Sequence, residues 1–347
     1  MRRDPRTGHT ALPIPFGWFF VSYADELAIG DVKPLEYFGK ELVLFRNRSG
    51  SAGLLDAYCP HLGAHLGHGG KVDGDSVRCP FHSWAFDRTG LCTDIPYAKA
   101  IPAKIASKPC LRSYPVAEKN NVIWAWFHPH EREPLFDVME NSEVDSADWR
   151  ELGRFHWRLR GTVQEFNENG IDVAHFPIVH GIEAPRTGEI IHDRHIRITK
   201  YMIDQLSNRD ADKLHAVVVQ NGAGQQFTRI SRGGVPNLNL TYVTPVNEDE
   251  IEVRFAFFME RKYAEDSIEA KVGMLLADGT AGLQGVQGDM RIWANKIHRA
   301  NPILCDGDGP IMRYRRYFEQ FYSCAEASVP TSSSESESAL EPPNRAA

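Results

Sequence analysis

Two cysteines and two histidines in this chain are spaced in a way that points to a metal centre. The sequence reads Cys59-Pro60-His61, then seventeen residues, then Cys79-Pro80-Phe81-His82. Each half offers one soft thiolate and one imidazole. Two loops of that kind suit a [2Fe–2S] cluster with two Cys on one iron and two His on the other. Neutral imidazoles in place of thiolates remove negative charge from the cluster and raise its potential. Gly63, Gly67, Gly69 and Gly70 crowd the first loop, where glycine lets backbone amides approach the cluster sulfurs. Trp84 is positioned to shield one side. A zinc finger would pair Cys with Cys and His with His, as C-x₂₋₄-C and H-x₃₋₅-H. Here both pairs are mixed.

This segment resembles the Rieske family, whose pattern is a C-x-H followed by a C-x₂-H. The extra cysteines that high-potential Rieske proteins carry would fall at Ala64 and Phe81. The likeness is therefore to the lower-potential type found in oxygenases and ferredoxins. Cys92 and Cys110 then read as structural thiols, since free cysteines are mostly buried and inert.

The chain has 347 residues, enough for roughly two domains. Six cysteines are too sparse for a disulfide scaffold. With 39 Lys+Arg against 46 Asp+Glu the formal net charge is −7, which argues against binding a phosphate backbone, so no nucleic-acid partner is expected. No apolar run reaches the length of about 18 residues that a spanning helix needs, so no integral membrane insertion is expected. Arg2 and Arg3 before the run Ala11–Val21 mimic a signal peptide, but Pro13 and Pro15 break it. An incoming edge strand fits better, and a cytoplasmic location is the expectation.

From about Phe16 to Phe127 the pattern is all-β. Apolar runs such as Leu42–Phe45 and Val122–Phe127 lie between the turn signals Asn47–Gly50, Gly69-Gly70, Asp73-Gly74 and Asp87–Gly90. Pro129 to Pro134 reads as a linker. In the second region Leu214–Gln220, Leu238–Thr244 and Ile251–Met259 read as strands, the last two as a hairpin across Asn247–Glu250. Ala264–His298 reads as mostly helical, with glycines weakening its middle. The Ser/Glu/Pro-rich stretch Thr331–Ala347 reads as disordered. The expected division is 12–128, 129–324 and a tail over 325–347.

A second constellation follows: Asn169-Gly170-Ile171-Asp172-Val173-Ala174-His175-Phe176-Pro177-Ile178-Val179-His180. On a helix, Asp172 and His175 would share a face. His180, five past His175, would need a bend, which Pro177 permits. Two histidines and a distant carboxylate would complete the facial triad of a mononuclear Fe(II) site with positions open for O₂. The carboxylate candidates are Asp278, Asp289, Asp306 and Asp308. Asp289, on an expected helix in Gly288-Asp289-Met290-Arg291-Ile292-Trp293, is favoured. Asp306 and Asp308 beside Gly307 and Gly309 read equally as a turn. Asn169 reads as a residue near the iron or as a helix cap.

The order of the two constellations resembles the Rieske non-haem iron oxygenases, with their D-x₂-H-x₄-H motif. The likeness runs from about Pro13 to Tyr322. It is greatest for the steroid-oxidising branch of 3-ketosteroid 9α-hydroxylases and cholesterol 7-desaturases, through Cys59–Leu66, Asp94-Ile95-Pro96-Tyr97-Ala98 and Tyr314–Tyr322. The resemblance implies an α+β chain: an N-terminal all-β Rieske [2Fe–2S] domain, then a helix-grip catalytic domain with an antiparallel sheet. It implies Cys59, His61, Cys79 and His82 on the cluster, and His175, His180 and Asp289 on Fe(II). It implies that Asp172 bridges a cluster histidine of one subunit to an iron-ligand histidine of its neighbour in a head-to-tail homotrimer. It also implies electrons from NAD(P)H through a separate reductase, directly or via a ferredoxin, and a steroid-like polycyclic substrate oxidised with O₂. Desaturation by the same metal centres, and an electron-transfer or binding protein with a dead iron site, are the competing functions. His192 and His195 read as surface histidines in a loop.

Overall fold

A computed structural model describes residues 12–203, 214–232, 234–282 and 285–322. The expected disordered tail, and Cys324, lie outside these residues. The first region is all-β apart from one 3₁₀ turn over Ala24–Glu26, as its alternation and turn residues require. It holds β1 (Gly17–Tyr23), β2 (Val32–Tyr37), β3 (Lys40–Arg46), β4 (Ala52–Asp56), β5 (Lys71–Asp73), β6 (Ser76–Arg78), β7 (Ala85–Phe86), β8 (Cys92–Asp94), β9 (Ser113–Tyr114), β10 (Val116–Lys119) and β11 (Val122–Phe127). They form three antiparallel sheets, ordered β2-β3-β4-β9, β1-β11-β10 and β5-β6-β7-β8. The expected edge strand at the N-terminus is β1. Gly50, Gly69, Gly74 and Gly90 take positive φ in the expected turns.

The second region is one seven-stranded antiparallel sheet with helices on one face. Its strands are β12 (Trp149–Arg160), β13 (Arg186–Asp193), β14 (Ile196–Ile203), β15 (Leu214–Asn221), β16 (Gln225–Arg232), β17 (Val235–Pro245) and β18 (Glu250–Glu260). Their order is β12-β18-β17-β16-β15-β14-β13, and the β17–β18 hairpin turns where the sequence places it. The helices are α1 (Val163–Asn169), α2 (Ile268–Ala281), α3 (Val286–Trp293) and α4 (Ile311–Phe318).

The period-2 pattern gives this sheet two apolar faces. Leu238, Leu240, Tyr242, Ala256 and Phe258 pack against Trp18, Phe20, Trp124 and Trp126 of the first region. On the opposite face, Val243, Val253, Phe255 and Phe257 join Ile171, Val286, Trp293, Tyr314 and Phe318 from the helical layer. The helical layer is thus pressed onto the sheet by aromatic side chains. Removing one that is wholly buried, such as Phe318, would cost about 3–5 kcal/mol.

The helix expected over Ala264–His298 is instead two. It stops at Ala281 and resumes at Val286. A Cβ on Gly285 would stand 2.0 Å from the Thr280 carbonyl oxygen, so glycine lets the backbone fold tightly there. No helix among the described residues is long and apolar enough to cross a membrane.

Candidate metal centres

The Cys/His loops have matching backbones. In the first, Gly63 N–H donates to Cys59 C=O and Cys59 N–H to Ala64 C=O; in the second, Ser83 N–H donates to Cys79 C=O and Cys79 N–H to Trp84 C=O. The residue closing each turn has positive φ, Gly63 at 77° and Ser83 at 58°. These equivalent loops present one cysteine and one histidine each. Both cysteines are buried, at 2% and 3% exposure, while His61 and His82 are half-buried with rings 4.8 Å apart. Trp84 lies flat on His61, 4.7 Å away and 8° from parallel, as expected of a shield. Burial pushes the Cys59 thiol up to about 12, with the neighbouring Cys79 opposing ionisation further. Cluster irons would reverse this, because coordination holds a thiol deprotonated. Cys92 and Cys110 pack in the same core and are raised by burial, consistent with structural thiols.

The second constellation departs from the expected kinked helix. Thr162 caps α1 by accepting from Glu165 N–H, and the helix ends at Asn169. Asp172 lies in the turn beyond it, so Asp172 and His175 do not share a helical face. His175 precedes a wide, π-type turn over Phe176–His180 with Pro177 near its start. That turn closes i to i+5, which is why an H-x₄-H spacing brings the two histidines together without a kink. His175 Nδ1 donates to the Asp172 carbonyl, fixing the tautomer so that Nε2 is the free lone pair.

His175 Nε2 and His180 Nε2 are 3.0 Å apart. Asp289, in the first turn of α3, brings its carboxylate oxygens to 3.7 Å from His175 Nε2 and 3.5 Å from His180 Nε2. The three donor atoms lie within 4.8 Å of one another. Two imidazole nitrogens and one carboxylate oxygen are the donor set of a facial Fe(II) triad, so these residues fit that metal. Asn169 Nδ2 donates to Asp289 Oδ2 at 3.0 Å and approaches His175 Nε2 at 3.3 Å. Burial pushes the Asp289 carboxyl up to about 7; the Asn169 amide lowers it and the Asp172 charge raises it. Burial also lowers the His175 imidazole, favouring the neutral form that ligates. Asp172 keeps its side chain 42% exposed, with Oδ2 3.9 Å from His175 Nδ1.

The other carboxylate candidates stay apart from the two histidines. Asp278 and Asp306 are exposed. Asp308 accepts the Cys305 N–H in a turn. His192 and His195 are half-buried rather than on the surface. His192 sits in β13 stacked on Tyr317, and His195 is stacked on Phe136.

Three residues absent from the site expectation clamp the segment before His175. Arg315 on α4 forms a bidentate pair with Glu168 at 2.7 and 2.8 Å. Tyr201 donates to the Gly170 carbonyl at 2.6 Å. Gly309 sits so close that a Cβ there would stand 1.9 Å from the Ile171 carbonyl oxygen. Arg315 belongs to the Tyr314–Tyr322 motif, so its signal was in the sequence without its role. Likewise Tyr97, in the Asp94–Ala98 motif, accepts the Trp84 Nε1 hydrogen bond at 2.8 Å.

The chain is similar to known proteins over most of its length. Residues 125–322 match the 3-ketosteroid 9alpha-hydroxylase C-terminal domain family, and residues 17–115 the Rieske [2Fe-2S] domain family. The chain is 31% identical to a cholesterol 7-desaturase of Bombyx mori, over 90% of this chain and 70% of that protein. It is 29% identical to a 3-ketosteroid-9-alpha-monooxygenase oxygenase component of Rhodococcus rhodochrous, over 88% and 80%. Among solved structures, dicamba monooxygenase bound to dicamba aligns with a TM-score of 0.69 at 19% identity, over 88% of this chain and 96% of that one. Pseudomonas putida CBB5 NdmA with caffeine aligns at 0.70 and 16%, over 91% and 97%. At such identities these two structures bear on the fold alone.

Proposed function

This chain belongs to the Rieske non-haem iron oxygenases whose C-terminal domain is of the 3-ketosteroid 9α-hydroxylase type, and from that premise we propose that it is the terminal oxygenase component of a monooxygenase hydroxylating a steroid-like polycyclic substrate. The observation that carries the reading is the convergence of His175, His180 and Asp289 within 4.8 Å in a chain that also carries the paired Cys/His loops. An electron carrier with a dead iron site would have no need of that buried triad.

In this reading Cys59 and Cys79 hold one iron of the cluster and His61 and His82 the other, within residues 12–128. His175, His180 and Asp289 hold Fe(II) within residues 129–324. When bound, these groups supply the electron transfer and O₂ activation that oxidise an unactivated C–H bond. The Asn169 amide holds one Asp289 oxygen in place. The Asp172 carbonyl fixes the His175 tautomer, and its part-exposed carboxylate is free to accept an imidazole N–H from a neighbouring copy. A head-to-tail homotrimer supplies that neighbour. An NAD(P)H-dependent reductase, directly or through a ferredoxin, supplies electrons in the cytoplasm. The apolar face of the sheet packs on the helical layer that carries the iron segment, through residues such as Val253, Phe255 and Ile171.

Identity to the cholesterol 7-desaturases favours a second reading, removal of two hydrogens without oxygen insertion. Turnover under ¹⁸O₂ with a surrogate reductase and a panel of sterols and 3-ketosteroids tests both. Labelled alcohol supports hydroxylation, and an unlabelled alkene supports desaturation. Turnover of small aromatics but of no polycyclic lipid overturns the substrate class.

A further inference from the structure

In the reading above the tips of the cluster histidines face the neighbouring copy, so an electron donor must dock on the flank beside them, where the Tyr97 ring stands 6.3 Å from the His82 ring. The flank of the cluster has an unusual charge. In a chain of net charge −7, the stretch from Ile95 to Ala117 holds Lys99, Lys104, Lys108 and Arg112 and not one carboxylate.

The path of this stretch packs it against the core that seats the cluster cysteines. It starts at Ile95, in the core that seats Cys59 and Cys79, and at Tyr97, whose hydroxyl holds Trp84. Ile101, Ile105 and Cys110 then pack on that same core. The apolar residues pin the loop down, and the lysines between them point outward. Lys99, Lys104 and Lys108 are all exposed, and none pairs with a carboxylate among the described residues. Arg112 is engaged by Glu131 at 3.4 Å. The domain's nearby acids do not cancel the lysines, since Asp73 and Asp94 are both held by Arg78. The loop ends on a cleft of about 640 Å³, whose walls include Arg88, Cys110, Arg132 and Glu133.

We propose that the loop over residues 97–112 is the docking surface for the electron donor, and that the donor presents an acidic face around its own [2Fe–2S] group. Exposed lysines without a carboxylate partner keep their charge in solvent and steer an oppositely charged partner over a Debye length of about 10 Å. One electron leaves the donor's cluster, which is oxidised, and enters this chain's cluster, which is reduced; no proton or bond changes hands.

The proposal rests on the oxygenase reading, so the test separates the two. The full-length holoprotein carrying K99E, K104E and K108E is mixed with a photoreduced, acidic plant-type [2Fe–2S] ferredoxin in a stopped-flow instrument. The bimolecular rate of cluster reduction should fall about tenfold or more at low salt, and the difference from the parent should vanish at high salt. The control replaces three lysines of the second region, K200E, K262E and K271E, for the same change in net charge, and should keep the parent rate. Dithionite should reduce the loop variant fully, showing an intact cluster, and the variant so reduced should oxidise steroid in a single turnover at the parent yield. Equal rates for the loop and control variants, or a loss of rate that salt does not remove, would overturn the docking surface. Failure of the dithionite-driven turnover in the parent protein would instead overturn the oxygenase reading.

Discussion

Iron binding should carry a steep pH dependence set by Asp289. This carboxyl is 5% exposed and burial raises it from 3.8 to about 7. Fe(II) takes the ionised form, so protons compete with the metal. With a midpoint near 7 the ionised fraction is about 0.09 at pH 6 and about 0.91 at pH 8. Apparent affinity for Fe(II) should therefore rise about tenfold across that range. An ordinary carboxylate would be fully ionised throughout and contribute nothing. His175 is lowered by burial, so it adds competition only toward the acid end. The sign for stability is opposite to the common carboxylate case. In metal-free protein the folded pKa lies above the unfolded value, so this group's contribution is intact below about 4 and is lost as pH rises through 7. Fe(II) removes that penalty. Anaerobic competition with a chromogenic ferrous chelator, on protein with its cluster intact, measures the slope. N169A removes the amide that lowers the carboxyl and should move the midpoint above 7. D289N should bind iron weakly with no slope over this range. A flat profile in the parent protein, or the same slope in D289N, would refute the reasoning.

Three further outcomes follow from the geometry. H175A and H180A should lose mononuclear iron while keeping the rhombic paramagnetic signal of the reduced cluster, and C59S or C79S should lose that signal; iron analysis with EPR distinguishes them. R315L leaves the Glu168 carboxylate, whose side chain is 9% exposed, buried without its partner, and denaturant unfolding should show a loss of about 3–5 kcal/mol. G309A forces a Cβ to within 1.9 Å of the Ile171 carbonyl oxygen; it should cost about 1–3 kcal/mol and lower iron occupancy, because the displaced segment leads directly to His175.

What the sequence disclosed was whatever depends on spacing. The C-x-H and C-x₂-H loops, the turn glycines of the first region and the β17–β18 hairpin are local patterns, and local physics determines them. Asp289 stands out among the four acids by its expected helix and by the family resemblance; its meeting with the histidines does not, since a ligand brought in from 109 residues beyond His180 depends on how α3 crosses the sheet. The π-type turn over Phe176–His180 was missed because a helix with a kink and a wide turn explain one histidine spacing equally well. β12, β13, β14 and β16 were missed because charged residues interrupt their apolar alternation. In β12, Arg154 and Arg158 face the first region and pair there with Asp25 and Glu36. The clamp of Arg315, Tyr201 and Gly309 lay beyond sequence reasoning because each member meets the iron segment across the fold.

The central claim is that one chain joins a cluster to a lone ferrous site and spends the electrons on a polycyclic C–H bond. Single turnover tests it most directly. Protein reduced with dithionite, freed of reductant and then mixed with O₂ and a 3-ketosteroid should lose its rhombic signal in step with formation of oxidised steroid, and D172N should hold its signal and form little product. Loss of the signal with no steroid product in the parent protein, or equal product from D172N, would contradict the account.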